Sequence, residues 1–100
     1  MNDVPYFPVP EEQIEREKNK ARELRRTQWW KNRRAQGRCH YCGARVHPHS
    51  LTMDHVVPLA RGGLTVRGNV VPCCKQCNTQ KQSLLPLEWE QYLAWLDRDG

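Results

Sequence analysis

The chemistry this sequence can do lies in five cysteines and one Asp-His pair. Cys39 and Cys42 form one C-x2-C pair, and Cys74 and Cys77 form another. At that spacing two thiolates reach one tetrahedral ion at about 2.3 Å. Two such pairs complete a closed zinc site with no position left for a substrate, so the zinc they would hold is structural. The gap between Cys42 and Cys74 exceeds the roughly 15 to 20 residues usual in a zinc ribbon, as an inserted hairpin would require. A ligand set drawing on His40, His47 or His49 is the alternative. Cys73 is the odd thiol, at a position where an apolar residue would serve, and is expected in the core. Asp54, His55, Asn69 and Asn78 remain, with no task in a zinc site. A lone His is ordinarily a buried structural group, but a carboxylate precedes this one. Neighbouring strand residues point to opposite faces, so Asp54 and His55 converge only if the strand ends between them, as Val56-Val57-Pro58 suggests.

The elements that must position these residues belong to a small domain. One hundred residues, 38% of them hydrophobic, with a mean hydropathy of -0.87, make a limited core that calls for a staple. The odd cysteine count, and no apolar run after a basic N-terminal stretch, read as a cytoplasmic chain with reduced thiols. No stretch approaches the length of a membrane span. Residues 1–10 carry three prolines and are expected to form an extended arm, with Tyr6 and Phe7 able to dock it. Residues 11–36 lack Pro and Gly and read as one long helix that Gly37 ends. Its apolar stripe is thin: Ile14, Ala21, Leu24 and then Trp29 or Trp30. Only its C-terminal part is expected to pack on the body.

From Cys39 to Pro48 a metal knuckle and loop are expected. "SLTMDH" then alternates as a strand, and "NVVPC" from Asn69 pairs back on it until Pro72 ends the pairing. A short helix follows from about Cys74 to Gln82. Pro86 starts another, with Leu85, Trp89, Leu93 and Leu96 on one core-facing side and Tyr92 beside them.

The charge is uneven. Between Arg16 and Arg38 ten Lys or Arg stand against Glu17 and Glu23, which is more than the whole chain's net +5. A positive stripe of this kind suits an anionic polymer, because Lys and Arg gain affinity by displacing counterions from phosphates. A solvated helix with no partner is the plainer reading of the same charges.

Asp54-His55, Pro58, Gly62-Gly63, Asn69, Cys74-x2-Cys77-Asn78 and Lys81 together resemble the HNH endonucleases of the ββα-metal, or His-Me finger, superfamily. The likeness runs from about Cys39 to Lys81, and Leu85 to Trp89 resembles a common continuation. It implies a small ββα-metal finger. With the four-cysteine zinc site, the long basic helix before it and the short amphipathic helix after it, all read from the residue pattern, the expected fold is α+β; residues 1–36 take no support from the resemblance. The expected organisation is an arm over 1–10, a basic helix over 11–36 and a nuclease domain over 37–100.

The resemblance also implies roles. His55 would be the general base that polarises a water for attack on a phosphodiester, and Asn69 would fix the loop that orients it. Asp54 and Asn78 would hold a divalent ion at the scissile phosphate. Asn78 stands where the family often has its last His. Two oxygen ligands favour Mg²⁺ or Mn²⁺. The partner would be double-stranded DNA, met through its phosphate backbone and minor groove by Arg61, Arg67, Lys75 and Lys81.

A monomer or weak dimer with one site would nick one strand per event with weak sequence preference, in a prokaryotic or phage-encoded cytoplasmic setting. The contrasting function is a zinc-stabilised nucleic-acid-binding module without catalysis. A thiol redox protein would leave Asp54, Asn69 and Asn78 idle.

Overall fold

The computed structural model describes residues 8–98. The expected arm, with Tyr6 and Phe7, lies outside those residues apart from 8–10. The elements are α1 (Glu11–Leu24), α2 (Gln28–Ala35), β1 (Leu51–His55), β2 (Val70–Cys74), α3 (Lys75–Lys81) and α4 (Pro86–Arg98). Single 3-10 turns lie at Pro48–Ser50, Leu59–Arg61 and Arg67–Asn69. The fold is α+β, a two-stranded antiparallel hairpin with helices around it.

The single helix expected over 11–36 is in fact two. Thr27 makes the break: its backbone is extended, its hydroxyl donates to the Leu24 carbonyl at 2.7 Å and accepts the Trp30 N–H at 3.3 Å. One side chain thus closes α1 and caps α2, a competition with the helical backbone to which Thr is suited. Separating the helices lets each bury its own residues, Glu17 and Ala21 from α1 and Trp30 from α2. The expectation that only the C-terminal part of this segment packs is therefore corrected. α1 lies against the Leu59–Arg61 turn, and α2 against β2 and the Pro48–Ser50 turn.

The hairpin pairs Leu51 with Cys74, Met53 with Pro72, Asp54 with Val71 and His55 with Val70. Pro72 does not end the pairing; it sits mid-strand. Its carbonyl accepts the His40 N–H at 2.9 Å, so the residue's hydrogen-bonding side faces the knuckle and away from β1. A missing N–H costs the ladder nothing there. Nor does β1 end between Asp54 and His55, since both are paired.

The core is built on sulfur. Cys39, Leu51, Cys73, Cys74, Cys77 and Trp89 form one buried cluster, with Tyr41, Val46, Leu84 and Tyr92 packed against it. Trp89 meets Tyr41 edge-on and Tyr92 face-on, both at 5.7 Å between ring centroids. The apolar face expected along α4 is buried only at its start: Trp89 is 4% exposed, whereas Leu93 and Leu96 are 36% and 38% exposed. So small a body has room for about one turn of that helix.

Candidate metal and catalytic site

The knuckle after α2 is tight. Cys39 N–H bonds the Ala44 carbonyl at 3.0 Å, and the Gly43 N–H bonds the Cys39 carbonyl at 3.0 Å. Gly43 has φ +72°, a left-handed conformation that closes the turn at little cost only for glycine. The second knuckle is the β2–α3 junction, where Cys74 caps α3 by accepting the Cys77 N–H on its sulfur. Paired strands bring the two knuckles together, and the sulfurs of Cys39, Cys42, Cys74 and Cys77 all lie within 4.8 Å of one another.

A tetrahedron with 2.3 Å metal–sulfur bonds has edges of about 3.8 Å, and Cys42 Sγ lies 3.9 Å from Cys74 Sγ. Four thiols on such edges fit a zinc ion. Among the described residues this is the one cluster of three or more His, Cys, Asp or Glu able to hold a metal. His40 instead packs on Tyr41, and His47 stacks on His49. Burial pushes the Cys39 thiol up, but backbone N–H groups of Cys42, Cys74 and Tyr41 outweigh it and bring the pKa to about 7. Those donors favour the thiolate at Cys39, whereas burial pushes the Cys77 thiol up. Cys73, fully buried, stands apart; burial, then the nearby Asp54 carboxylate, push its pKa to about 12.

Asp54 and His55 leave opposite faces of the hairpin's end. Asp54 is buried, and its Oδ2 accepts from Tyr41 Oη at 2.6 Å and from Lys81 Nζ at 3.2 Å. Burial, and then that hydrogen bond, raise the Tyr41 pKa, so the phenol stays a donor. Lys81 is 0% exposed, and its ammonium also donates to the His55 carbonyl at 3.2 Å. This corrects the expectation of a Lys81–phosphate contact, because a fully enclosed ammonium has no surface to offer a backbone. Lys81 instead ties α3 to the end of β1. Asn78 sits on α3 three residues earlier, on the same side of the helix by periodicity, and is exposed.

The His55 ring points the other way, and Nε2 lies 2.9 Å from Thr65 Oγ1. Thr65 Oγ1 gives its one hydrogen to the Glu17 backbone carbonyl, at 2.8 Å. A carbonyl only accepts, so the hydroxyl must accept from His55, which places a hydrogen on Nε2 and leaves the Nδ1 lone pair free in the neutral ring. Burial is the main cause lowering the His55 pKa from 6.5. Arg25 and Lys81 push the same way, against Asp54 and Glu17. The imidazole is therefore held in its proton-accepting form at neutral pH.

Asn69 behaves as a strand partner made from a side chain. Its Oδ1 accepts the Val57 N–H at 2.9 Å, and its Nδ2 donates to the Val57 and Leu64 carbonyls at 3.1 and 2.8 Å. Its own carbonyl accepts the Val56 N–H at 2.9 Å. The chain just after His55 is thus clamped to the loop before β2. Gly63 makes room for this, since a Cβ there would stand 1.7 Å from the Val57 carbonyl oxygen.

Of the remaining expected contacts, Lys75 is exposed at the start of α3. Arg61 forks onto Glu88 at 3.0 and 3.3 Å and reaches the Ser83 carbonyl, bracing α4. Arg67 lies 5.2 Å from the Trp29 ring, which Arg33 also covers at 5.4 Å. The sequence reading missed Glu17, Thr65 and Tyr41. Glu17 had a signal: it falls between Ile14 and Ala21 on α1's apolar stripe, where a charge needs a reason. Thr65 had none, being one polar residue in a loop.

Residues 39–84 match the family model described as HNH endonuclease. That match takes in 46 of the 100 residues. The chain is also similar to a CRISPR-associated endonuclease Cas9 of Actinomyces naeslundii, 39% identical over 54 residues. That stretch is 53% of this chain and 5% of the relative's length. The matched segment begins at the first cysteine knuckle and contains both strands and α3. α1 and α2 precede it. No helix among the described residues is long and apolar enough to cross a membrane.

Proposed function

We propose that this chain is a divalent-metal-dependent DNA endonuclease that hydrolyses phosphodiester bonds and nicks one strand per event. The observation that carries the reading is the geometry at His55: Nε2 lies 2.9 Å from the Thr65 hydroxyl, whose own hydrogen goes to the Glu17 carbonyl, so Nδ1 is the proton acceptor of the neutral ring at the end of the hairpin. In that state Nδ1 takes a proton from water as the water oxygen bonds to phosphorus. The P–O bond to the 3′ oxygen breaks, and solvent supplies that oxygen's proton.

Asp54 and Asn78 would hold the divalent ion. A carboxylate and an amide are hard oxygen donors that suit Mg²⁺ or Mn²⁺, and among the described residues the contacts to Asp54 fall on Oδ2, leaving Oδ1 for a cation. When bound, such an ion stabilises charge on the phosphate and leaving oxygen. Asn69 keeps His55 on its loop. Lys75 and the basic faces of α1 and α2 contact phosphates. Sequence preference is weak, because contacts to phosphates position a protein on the duplex without reading its bases.

One observation favours the contrasting reading, a binding module without catalysis: Lys81 already neutralises the Asp54 carboxylate. Product topology and metal dependence separate the two. With dilute enzyme and supercoiled plasmid, a monomer with one site converts substrate to open circles before any linear form appears. Linear DNA with no open-circle intermediate would refute one-strand cleavage.

A further inference from the structure

α1 lies outside the family match, yet it reaches the His55 side of the hairpin. Glu17 is a charged residue with only 3% of its side chain exposed. Its Oε1 accepts the Thr65 N–H at 2.6 Å, while Lys20 Nζ sits 3.2 Å from Oε2. Thr65 is thus held twice by one residue, through its N–H by the carboxylate and through its hydroxyl by the backbone carbonyl. Burying a carboxylate is costly unless it is paired and hydrogen-bonded, and Glu17 is both, with the Thr65 N–H holding its pKa below the usual carboxylate range. What the arrangement accomplishes is to point the Thr65 hydroxyl hydrogen away from His55, so the oxygen can only accept from Nε2.

We propose that Glu17, acting through Thr65, is a positioning residue for the base, so that α1 is a working part of the catalytic site. Glu17 fixes Thr65, and Thr65 fixes both the Nε2–H tautomer and the direction of the imidazole, aiming Nδ1 at the attacking water. This rests on His55 being the base.

The test uses the full chain with four substitutions. Thr65→Val keeps the shape of the side chain and removes the hydroxyl; Thr65→Ser restores it. Glu17→Ala frees the Thr65 N–H; Glu17→Gln keeps an acceptor oxygen in place. Steady-state nicking should show kcat lowered roughly 10–100-fold in Thr65→Val and Glu17→Ala, the usual scale for losing an orienting partner. KM should move little, and Thr65→Ser and Glu17→Gln should lie within about threefold of wild type.

Imidazole nitrogen NMR on the wild type, above the His55 titration, should show Nε2–H. Unchanged kcat in Thr65→Val, or a Thr65→Ser as slow as Thr65→Val, overturns the inference, as does an Nδ1–H signal. Glu17→Ala with wild-type kcat shows that the carboxylate does not position the base and overturns it too. A folded wild type that cleaves nothing refutes the nuclease reading instead, and the NMR tautomer then judges the clamp separately.

Discussion

Cys74→Ser should not give a folded protein: its cooperative thermal transition and near-UV circular dichroism should vanish. Cys74 performs three tasks at once. Its sulfur belongs to the four-thiol cluster, it caps α3, and it is part of the buried core. Zinc binding to four-ligand sites contributes about 10–16 kcal/mol in small domains. The whole stability of a domain this size is about 5–15 kcal/mol. Losing the zinc site is therefore comparable to the whole stability, and four of the six residues in the buried cluster around it are cysteines. Removing zinc from the wild type with a strong chelator should have the same consequence, and returning zinc should restore the signal. Acid should favour the apo form, since each thiol must lose its proton to bind as thiolate. A soluble Cys74→Ser protein that melts cooperatively near the wild-type temperature would show that sulfur coordination does not hold the fold.

His55→Ala should lower plasmid cleavage by at least about 100-fold, the scale of a general base, with the fold and duplex affinity retained. The fold survives because the ring is half-buried at the end of β1, with its one side-chain hydrogen bond going to Thr65. The backbone carbonyl that receives Lys81 is unaffected by the substitution. Affinity survives because the ring's pKa is lowered, so at neutral pH the substitution removes little positive charge. Nicking rates and fluorescence anisotropy on one labelled duplex would measure both. Cleavage within threefold of wild type would show that another group takes the proton.

Much of the scaffold could be read directly from residue types. Two C-x2-C pairs, a hairpin between them, a short helix after Cys74 and a buried Cys73 all rest on local spacing, and the structure has each of them. Where reading failed, the deciding partner was distant in sequence or the rule had an exception. Thr27 looks like one more helical residue until its hydroxyl is seen to cap α2. Pro72 is a strand breaker only where its nitrogen must donate inward, and here that side meets the His40 knuckle.

Lys81 looks like a surface cation. Its burial follows from Asp54 and Tyr41, 27 and 40 residues away, converging on one ammonium. Leu93 and Leu96 have core periodicity, but the body ends before it reaches them. The residues proposed for catalysis were legible as types in an order. Their tautomer, and the helix that sets it, were not, because Glu17 and Thr65 are 48 residues apart.

The central claim is that His55 and a divalent ion hydrolyse a backbone phosphate on a scaffold clamped by sulfur. Its most direct test is to incubate zinc-loaded wild type with supercoiled plasmid under Mg²⁺, Mn²⁺, Ca²⁺ or no added ion, with folding followed by circular dichroism in each tube. The account predicts nicking with Mg²⁺ or Mn²⁺ and none without an added ion, from protein equally folded in both. A folded protein that binds the plasmid yet leaves it supercoiled with every ion would contradict it.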